Sequence, residues 1–344
     1  MAMIWGTRLT LKLFKEGPPH LDAPFALYPV SILKPLKGAD HALSDNLESF
    51  FKLRYPEFEL LFSVEDERDP ACAVVRELME RYPDVCAQLI VARIEIGPNP
   101  KVNNLAFTYG RARHDWILIS DSNVRVGQDY LRRMVAHIDP SVGMITAIVA
   151  GREAQGLGGH LEAAYLNTFY ARGMSLAAEA GRPCVIGKSM LFRRSVAARF
   201  GGMGTLAQYL AEDYMAGEAM QRLGLRVILM SDPIDQIIGR HSFQAFWSRH
   251  LRWGRIRKAQ APLPFALEPL INPFVAGLLG AYAFNTLLGT SYADFLLVHL
   301  SLWSLGDFLL MRRLESGLHF KMAIAWFLRE ALALPMWIHV ASGN

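Results

Sequence analysis

"DWILISDSNVRV", Asp115 to Val126, holds the reading on which the fold turns. Trp116 to Ile119 form a short apolar run that ends in Ser120 and Asp121, with Asn123 two residues further on. An apolar run closed by turn formers predicts a buried strand. Three other stretches read the same way: "PVSILKPL" from Pro29, "FELLFSVED" from Phe58 and "AQLIVARI" from Ala87. The segments between them, "HALSDNLESFFKL", "CAVVRELMERY" and "KVNNLAFTYGRAR", carry helical spacing, with Leu43, Leu47, Phe50 and Phe51 on one face of the first. Strand and helix therefore alternate, which predicts an α/β domain with a mostly parallel sheet.

Ligands in such sheets bind outside the carboxyl ends of the strands, so the acids that end them matter: Glu65 and Asp66 after one run, Asp121 after another. Asp121 and Asn123, at i and i+2, share a side and can hold one hard cation with its phosphates. From this stretch alone, a strand-ending aspartate is equally well a turn former. No Gly-x-Gly-x-x-Gly turn and no Walker-type loop is present, which argues against Rossmann cofactors and P-loop nucleotides. Any phosphate must then be held by a metal or by basic side chains.

Three more stretches carry chemistry. "GPNPKVNNL" sets Lys101 and Asn103 at a helix start, where anions bind and where asparagine also caps. In "AQYLAEDYMAG", Glu212 and Asp213 fall in the first turn of a predicted helix; a carboxylate there suits the macrodipole, and it also suits catalysis. "SRHLRW" puts Arg249 and Arg252 three residues apart on one helix face beside Trp253, able to address a diphosphate or to anchor a membrane edge.

Of the 344 residues, 52% are hydrophobic, and the mean hydropathy is +0.17. The excess lies after residue 260. Pro273 to Gly289, Ala293 to Met311 and Met322 to Val340 each approach the ~20 apolar residues that cross a bilayer. About three membrane helices are expected, although Asp307, Arg329 and Glu330 inside them also suit buried core helices. Five Lys/Arg between Arg249 and Lys258, and Arg312, Arg313 and Lys321 later, put the preceding domain on the cytoplasmic side, the inner membrane if the cell is bacterial. A net charge of +4 gives no reason to expect nucleic acid. Cys72, Cys86 and Cys184 have neither disulfide-framework nor zinc spacing.

Taken in order, Asp66 in "SVEDERDP", "NPKVNNL", Asp121 in "DSN", "QYLAEDY" and Arg249-x-x-Arg252-Trp253 resemble the three-aspartate and R/Q-x-x-R-W signature of the ceramide glucosyltransferases, glycosyltransferase family 21, in a bacterial-type member. The likeness extends over about residues 28 to 260. It implies a glycosyltransferase A-type fold, UDP-glucose as donor, and inversion at the anomeric carbon on transfer to the primary hydroxyl of ceramide or a related membrane lipid. By position, Asp66 would bind uridine, Asp121 the metal-diphosphate, and Asp213 would be the general base. Arg249, Arg252 and Trp253 would hold diphosphate and sugar, Lys101 and Asn103 would line the donor site, and Mg²⁺ or Mn²⁺ is the expected cofactor. The expected domains are an N-terminal tail over 1–27, a catalytic domain over 28–260 and a membrane region over 261–344.

This chain departs from the family pattern at three points. It has Asp-Ser-Asn rather than Asp-x-Asp, and Tyr170 in the region where animal relatives carry a histidine. "MAMIWGTRLTLKLF" offers a turn or two of amphipathic sequence where a membrane helix is usual, so a lost helix or a start further upstream is expected. Other readings are a hopanoid or other lipid glycosyltransferase, and a non-catalytic membrane lipid-binding protein. A processive polysaccharide synthase needs more helices to enclose its polymer.

Overall fold

The computed structural model describes residues 2–16, 26–40, 42–182, 184–314 and 320–343. Among the described residues there are eight strands: β1 (Val30–Pro35), β2 (Phe58–Val64), β3 (Ala87–Val91), β4 (Trp116–Ile119), β5 (Val124–Arg125), β6 (Val142–Gln155), β7 (Met190–Arg193) and β8 (Arg226–Arg240). They form one sheet in the order β3-β2-β1-β4-β7-β6-β8-β5. The pairings β1–β2, β1–β4 and β2–β3 are parallel, and β4–β7 and β6–β7 antiparallel. The four strands expected from the apolar runs are β1 to β4, and β4 is buried at every position, as a strand covered on both faces must be.

From β1 the chain runs outward through β2 to β3 and then returns to β4 on β1's other side. This reversal makes the crevice at the carboxyl ends of β1 and β4 the place where an open α/β sheet admits a ligand. Helix Pro100–Arg111 packs on β1 and β2, and Leu33, Leu61, Val102, Leu105 and Ile119 share one buried core beneath that edge.

The chain divides into two compact units. The sheet unit comprises residues 13–149 and 174–237, and the helical unit residues 1–12, 150–173 and 238–344. In the helical unit, Tyr292–Leu314 and Phe320–Ser342 are each long and apolar enough to cross a membrane. A third apolar stretch is a pair of helical segments, Pro262–Ile271 and Pro273–Leu288, bent by 68° at Asn272. Leu297, Leu302, Leu305, Phe327 and Ile338 on the long helices face outward. A row of exposed large apolar side chains suits lipid rather than water. The buried acids and bases singled out in these helices have partners: Asp307 takes Arg172 and the Trp326 indole, and Arg329 takes Glu330.

The N-terminal stretch is more regular than expected. Ala2–Glu16 is a single helix of 15 residues, about four turns. Buried Met3, Thr7 and Phe14 hold one face, and this packing outweighs the polar interruptions that broke the pattern in sequence.

Candidate active site

Lys101 is the hub of a charged cluster in the sheet unit. Its Nζ stands 2.9 Å from Asp121 Oδ1 and 3.1 Å from Glu212 Oε1, and donates to the Gly187 carbonyl at 2.9 Å. Local structure explains its place. Asn99 caps the helix that begins at Pro100 by accepting the Lys101 and Val102 N–H groups, and its amide nitrogen donates to Glu212 Oε2 at 2.9 Å. The cap thus links this helix start to that of Glu212–Arg222, and Lys101 falls between them.

Asp121 takes an ammonium on each oxygen, since Lys188 Nζ lies 3.0 Å from Oδ2. Register accounts for the second partner. β4 and β7 run antiparallel with Ile119 opposite Met190, so two residues onward Asp121 faces Lys188. Burial alone would raise the Asp121 carboxyl, but Lys101 and Lys188 hold it well below the usual carboxylate range. Beneath it, fully buried Lys34 donates to the Asp121 carbonyl at 2.7 Å and to Ser120 Oγ at 3.2 Å, over the Phe50 ring. Burial pushes the Lys34 ammonium well below its ordinary value.

Asp213 lies in the first turn of helix Glu212–Arg222, as expected. Ala211, the residue before the helix, makes no side-chain cap. Instead, Asp213 Oδ1 accepts its neighbour's N–H, from Tyr214 at 2.8 Å, and Oδ2 accepts the Gly187 N–H at 2.7 Å. Burial and the adjacent Glu212 carboxylate raise its pKa to about 6, against Lys101 and the two N–H groups. A carboxylate tuned toward neutral pH is suited to take a proton.

Lys188 Nζ is also 3.0 Å from Asn123 Oδ1, so the oxygens of Asp121 and Asn123 converge on one cationic point. A carboxylate with an amide oxygen is a donor pair that a hard cation accepts, completed by substrate phosphates and water. Among the described residues, no group of three or more His, Cys, Asp and Glu side chains forms a metal cage.

Within the sheet unit, Asp66 and Asn103 have other partners. Asp66 is exposed beyond the carboxyl end of β2, two strands or ~10 Å from β4 along the sheet. Arg68 holds its carboxyl at about 2 through two side-chain contacts. Asn103 ties down the preceding loop, accepting the Ile96 and Gly97 N–H groups and donating to the Gly97 carbonyl. Arg249, Arg252 and Trp253 lie in the helical unit, on helix Phe243–Gln260. There Arg249 grips both oxygens of buried Glu162 at 2.6 and 2.7 Å, Arg252 is exposed, and Trp253 stands edge-on to Tyr170 at 5.5 Å.

Sequence reasoning missed Lys188, Gly187, Lys34 and Glu162. Only Lys34 left a trace, a lone charge inside an apolar strand. The Gly187-Lys188 pair is an ordinary loop dipeptide until the β4–β7 pairing is known.

The family model for glycosyl transferase family 21 matches residues 3–344. Ceramide glucosyltransferase 1 of Caenorhabditis elegans is 33% identical over 307 residues, covering 88% of this chain; the chain spans 66% of that relative's length. The ceramide glucosyltransferase of Komagataella phaffii is 28% identical over 418 residues, covering 95% of this chain and 81% of the relative. Among solved structures, a mannosyltransferase from Pyrobaculum calidifontis in complex with GDP-Man and Mn²⁺ superposes with a TM-score of 0.53. It is 18% identical and covers 99% of this chain and 96% of its own, so the shared feature is the nucleotide-sugar transferase fold.

Proposed function

Because this chain belongs to glycosyl transferase family 21, we propose that it moves glucose from UDP-glucose to the primary hydroxyl of ceramide or a related membrane lipid, with inversion. The observation that carries the reading is the cluster itself: Lys101 and Lys188 on the two oxygens of Asp121, and Asp213, raised to about 6, held by the Gly187 N–H beside Lys101. The similarity to ceramide glucosyltransferases supports the lipid acceptor.

Asp213 takes the acceptor's hydroxyl proton as the new bond forms between that oxygen and the anomeric carbon. The bond from this carbon to the diphosphate breaks, and its electron pair leaves on the diphosphate oxygen. Lys101 and Lys188 offer positive charge where that negative charge collects, which is where electrostatic stabilisation counts most. Asp121 and Asn123 would hold Mg²⁺ or Mn²⁺, which when bound neutralises the diphosphate. Asp66 would contact uridine, Asn103 would hold the donor-site loop, and Arg249, Arg252 and Trp253 would serve diphosphate and sugar. In this reading residues 28–260 are the catalytic domain on the cytoplasmic face, and 261–344 the membrane region.

The test is to incubate membranes containing the protein with ceramide or hopanoid acceptors and several UDP-sugars, and to identify the glycolipid by mass spectrometry. No glycolipid from any pairing would refute the proposal, and a hopanoid product would move the acceptor class.

A further inference from the structure

The long helix Phe320–Ser342 ends against a basic helix of the same unit. Lys258 Nζ donates to the carbonyls of Val340, Ala341 and Gly343 at 3.3, 3.0 and 2.9 Å, satisfying oxygens that a helix end leaves open. Trp247 stands against His339, and the Trp337 indole donates to the Phe265 carbonyl. Arg329, Met336 and Val340 line one cleft with His250, Gly254 and Arg257. Residues 329–343 therefore run beside helix Phe243–Gln260.

That basic helix carries Arg249, Arg252, Arg255, Arg257 and Lys258, and Arg252 and Arg255 are exposed, so it does not lie in hydrocarbon. Whatever runs beside it lies outside the hydrocarbon as well. The rest of the long helix, residues 320–328, rises only ~14 Å against a core ~30 Å thick, and exposed Lys321 stands at its start. Length and composition allow this helix to cross a bilayer; its packing does not.

The preceding pair is built differently. Pro273–Leu288 and the first half of Tyr292–Leu314 form a hairpin, in which the His299 ring donates to the Pro273 carbonyl at the base and Phe284 packs on Phe295 at 4.8 Å further out. From Pro273 to Gly306 there is no Lys, Arg or Glu, and Asp294, near the turn, is the one Asp. Leu278, Leu287 and Leu288 are 64%, 79% and 70% exposed, and Leu297 and Val298 face outward on the other arm. The first arm is ~24 Å long. Past it, buried Asp307 with its Arg172 partner brings the second arm back into the packed part of the unit. Exposed bases stand at both ends of the hairpin, Arg252 and Arg255 before it and Arg312 and Arg313 after it, and none stands at the turn, which suits anionic head groups on one side only.

We infer that the chain enters the bilayer as this hairpin and returns on the side it entered, and that helix Phe320–Ser342 lies along that same side without crossing. Exposed Phe327 and Ile338 then meet the head-group boundary, as on an interfacial helix. Three crossings, the number the apolar stretches suggest, would put Ser342 and Lys258 on opposite faces. The hydrogen bonds of Lys258 to the end of the long helix are incompatible with that.

The test labels single cysteines with a membrane-impermeant maleimide in sealed vesicles of both orientations, in the full chain with Cys72, Cys86 and Cys184 replaced by alanine. Ala259→Cys marks the basic helix, Ser342→Cys the end of the long helix and Ser291→Cys the turn of the hairpin, and all three positions are exposed. Ala259→Cys and Ser342→Cys should label from one and the same side, while Ser291→Cys stays unlabelled from that side until detergent is added. Labelling of Ser342→Cys from the side opposite Ala259→Cys would restore a third crossing and overturn the inference. Labelling of Ser291→Cys from the Ala259→Cys side would show that the hairpin is not inserted. Release from membranes at alkaline pH would overturn it too, and release as a dimer would give the hairpin to a second copy. If a cysteine variant fails to fold, an epitope placed after Asn344 in the unsubstituted chain, digested by protease in the two kinds of vesicle, reports the same side. None of these readouts uses sugar transfer, so the topology is tested apart from the proposed activity.

Discussion

Asp213 Oδ2 accepts the Gly187 N–H at 2.7 Å, and the Gly187 carbonyl accepts the Lys101 ammonium at 2.9 Å, so one glycine holds the proposed base and its neighbouring cation at the same time. A Cβ at Gly187 would stand 2.6 Å from Lys101 Nζ and 3.2 Å from Asp213 Oδ2. Gly187→Ala should therefore displace the flexible lysine end, lowering kcat/KM for the donor by about tenfold or more while the melting temperature stays within a few degrees. The fold is little disturbed because the atom that must yield is the free end of a flexible side chain rather than backbone. Steady-state kinetics and a thermal melt decide it, and unaltered kinetics would mean that the glycine is only a turn.

Asp213→Asn separates catalysis from helix-end structure. An amide oxygen can still accept one backbone N–H, but it cannot take a proton from the acceptor. General-base contributions are ~10²–10⁴-fold, so kcat should drop by at least about 100-fold with UDP affinity nearly unchanged. Retention of more than about a tenth of the turnover would remove Asp213 from the mechanism and point to Glu212.

The pH dependence follows in sign from the charges around Asp213. A base must be deprotonated, so kcat should fall as pH drops through about 6. Glu212 raises that pKa by repulsion, hence Glu212→Gln should move the acid limb to lower pH. A shift in the opposite direction, read from the pH–rate profile, would show that the limb belongs to another group.

Cation removal tests the oxygens of Asp121 and Asn123. Activity should fall in excess chelator and return with Mg²⁺ or Mn²⁺, and Asp121→Ala should weaken donor binding measured by calorimetry. Full activity in chelator would mean that Lys101 and Lys188 balance the diphosphate without a metal.

Within the helical unit, Asp307 is buried between Arg172 and Trp326. Removing one partner from a buried ion pair costs about 3–5 kcal/mol. Arg172→Met should lower the melting temperature in detergent accordingly, and adding Asp307→Asn should recover part of the loss. Equal stability of the single variant and the unsubstituted protein would contradict the pairing.

What the sequence determined by itself was local in origin. Apolar runs closed by turn formers marked β1 to β4, helical spacing marked the segments between them, and the charges at element ends marked Lys101, Asp121 and Asp213, because each signal needs only a few neighbouring residues. The long apolar stretches after residue 260 were legible for the same reason, although the bend at Asn272 was not.

Only the tertiary structure decided which distant residues meet. Lys188 faces Asp121 across 67 positions because β7 runs antiparallel to β4, and pairing of that kind depends on long-range closure that leaves no local mark. The same holds for Arg249, whose grip on Glu162 spans 87 positions, and for the cleft around His250 and Arg329. Local chemistry chose the groups, while non-local packing set their burial, and burial with neighbouring charge is what tunes a carboxylate toward a base.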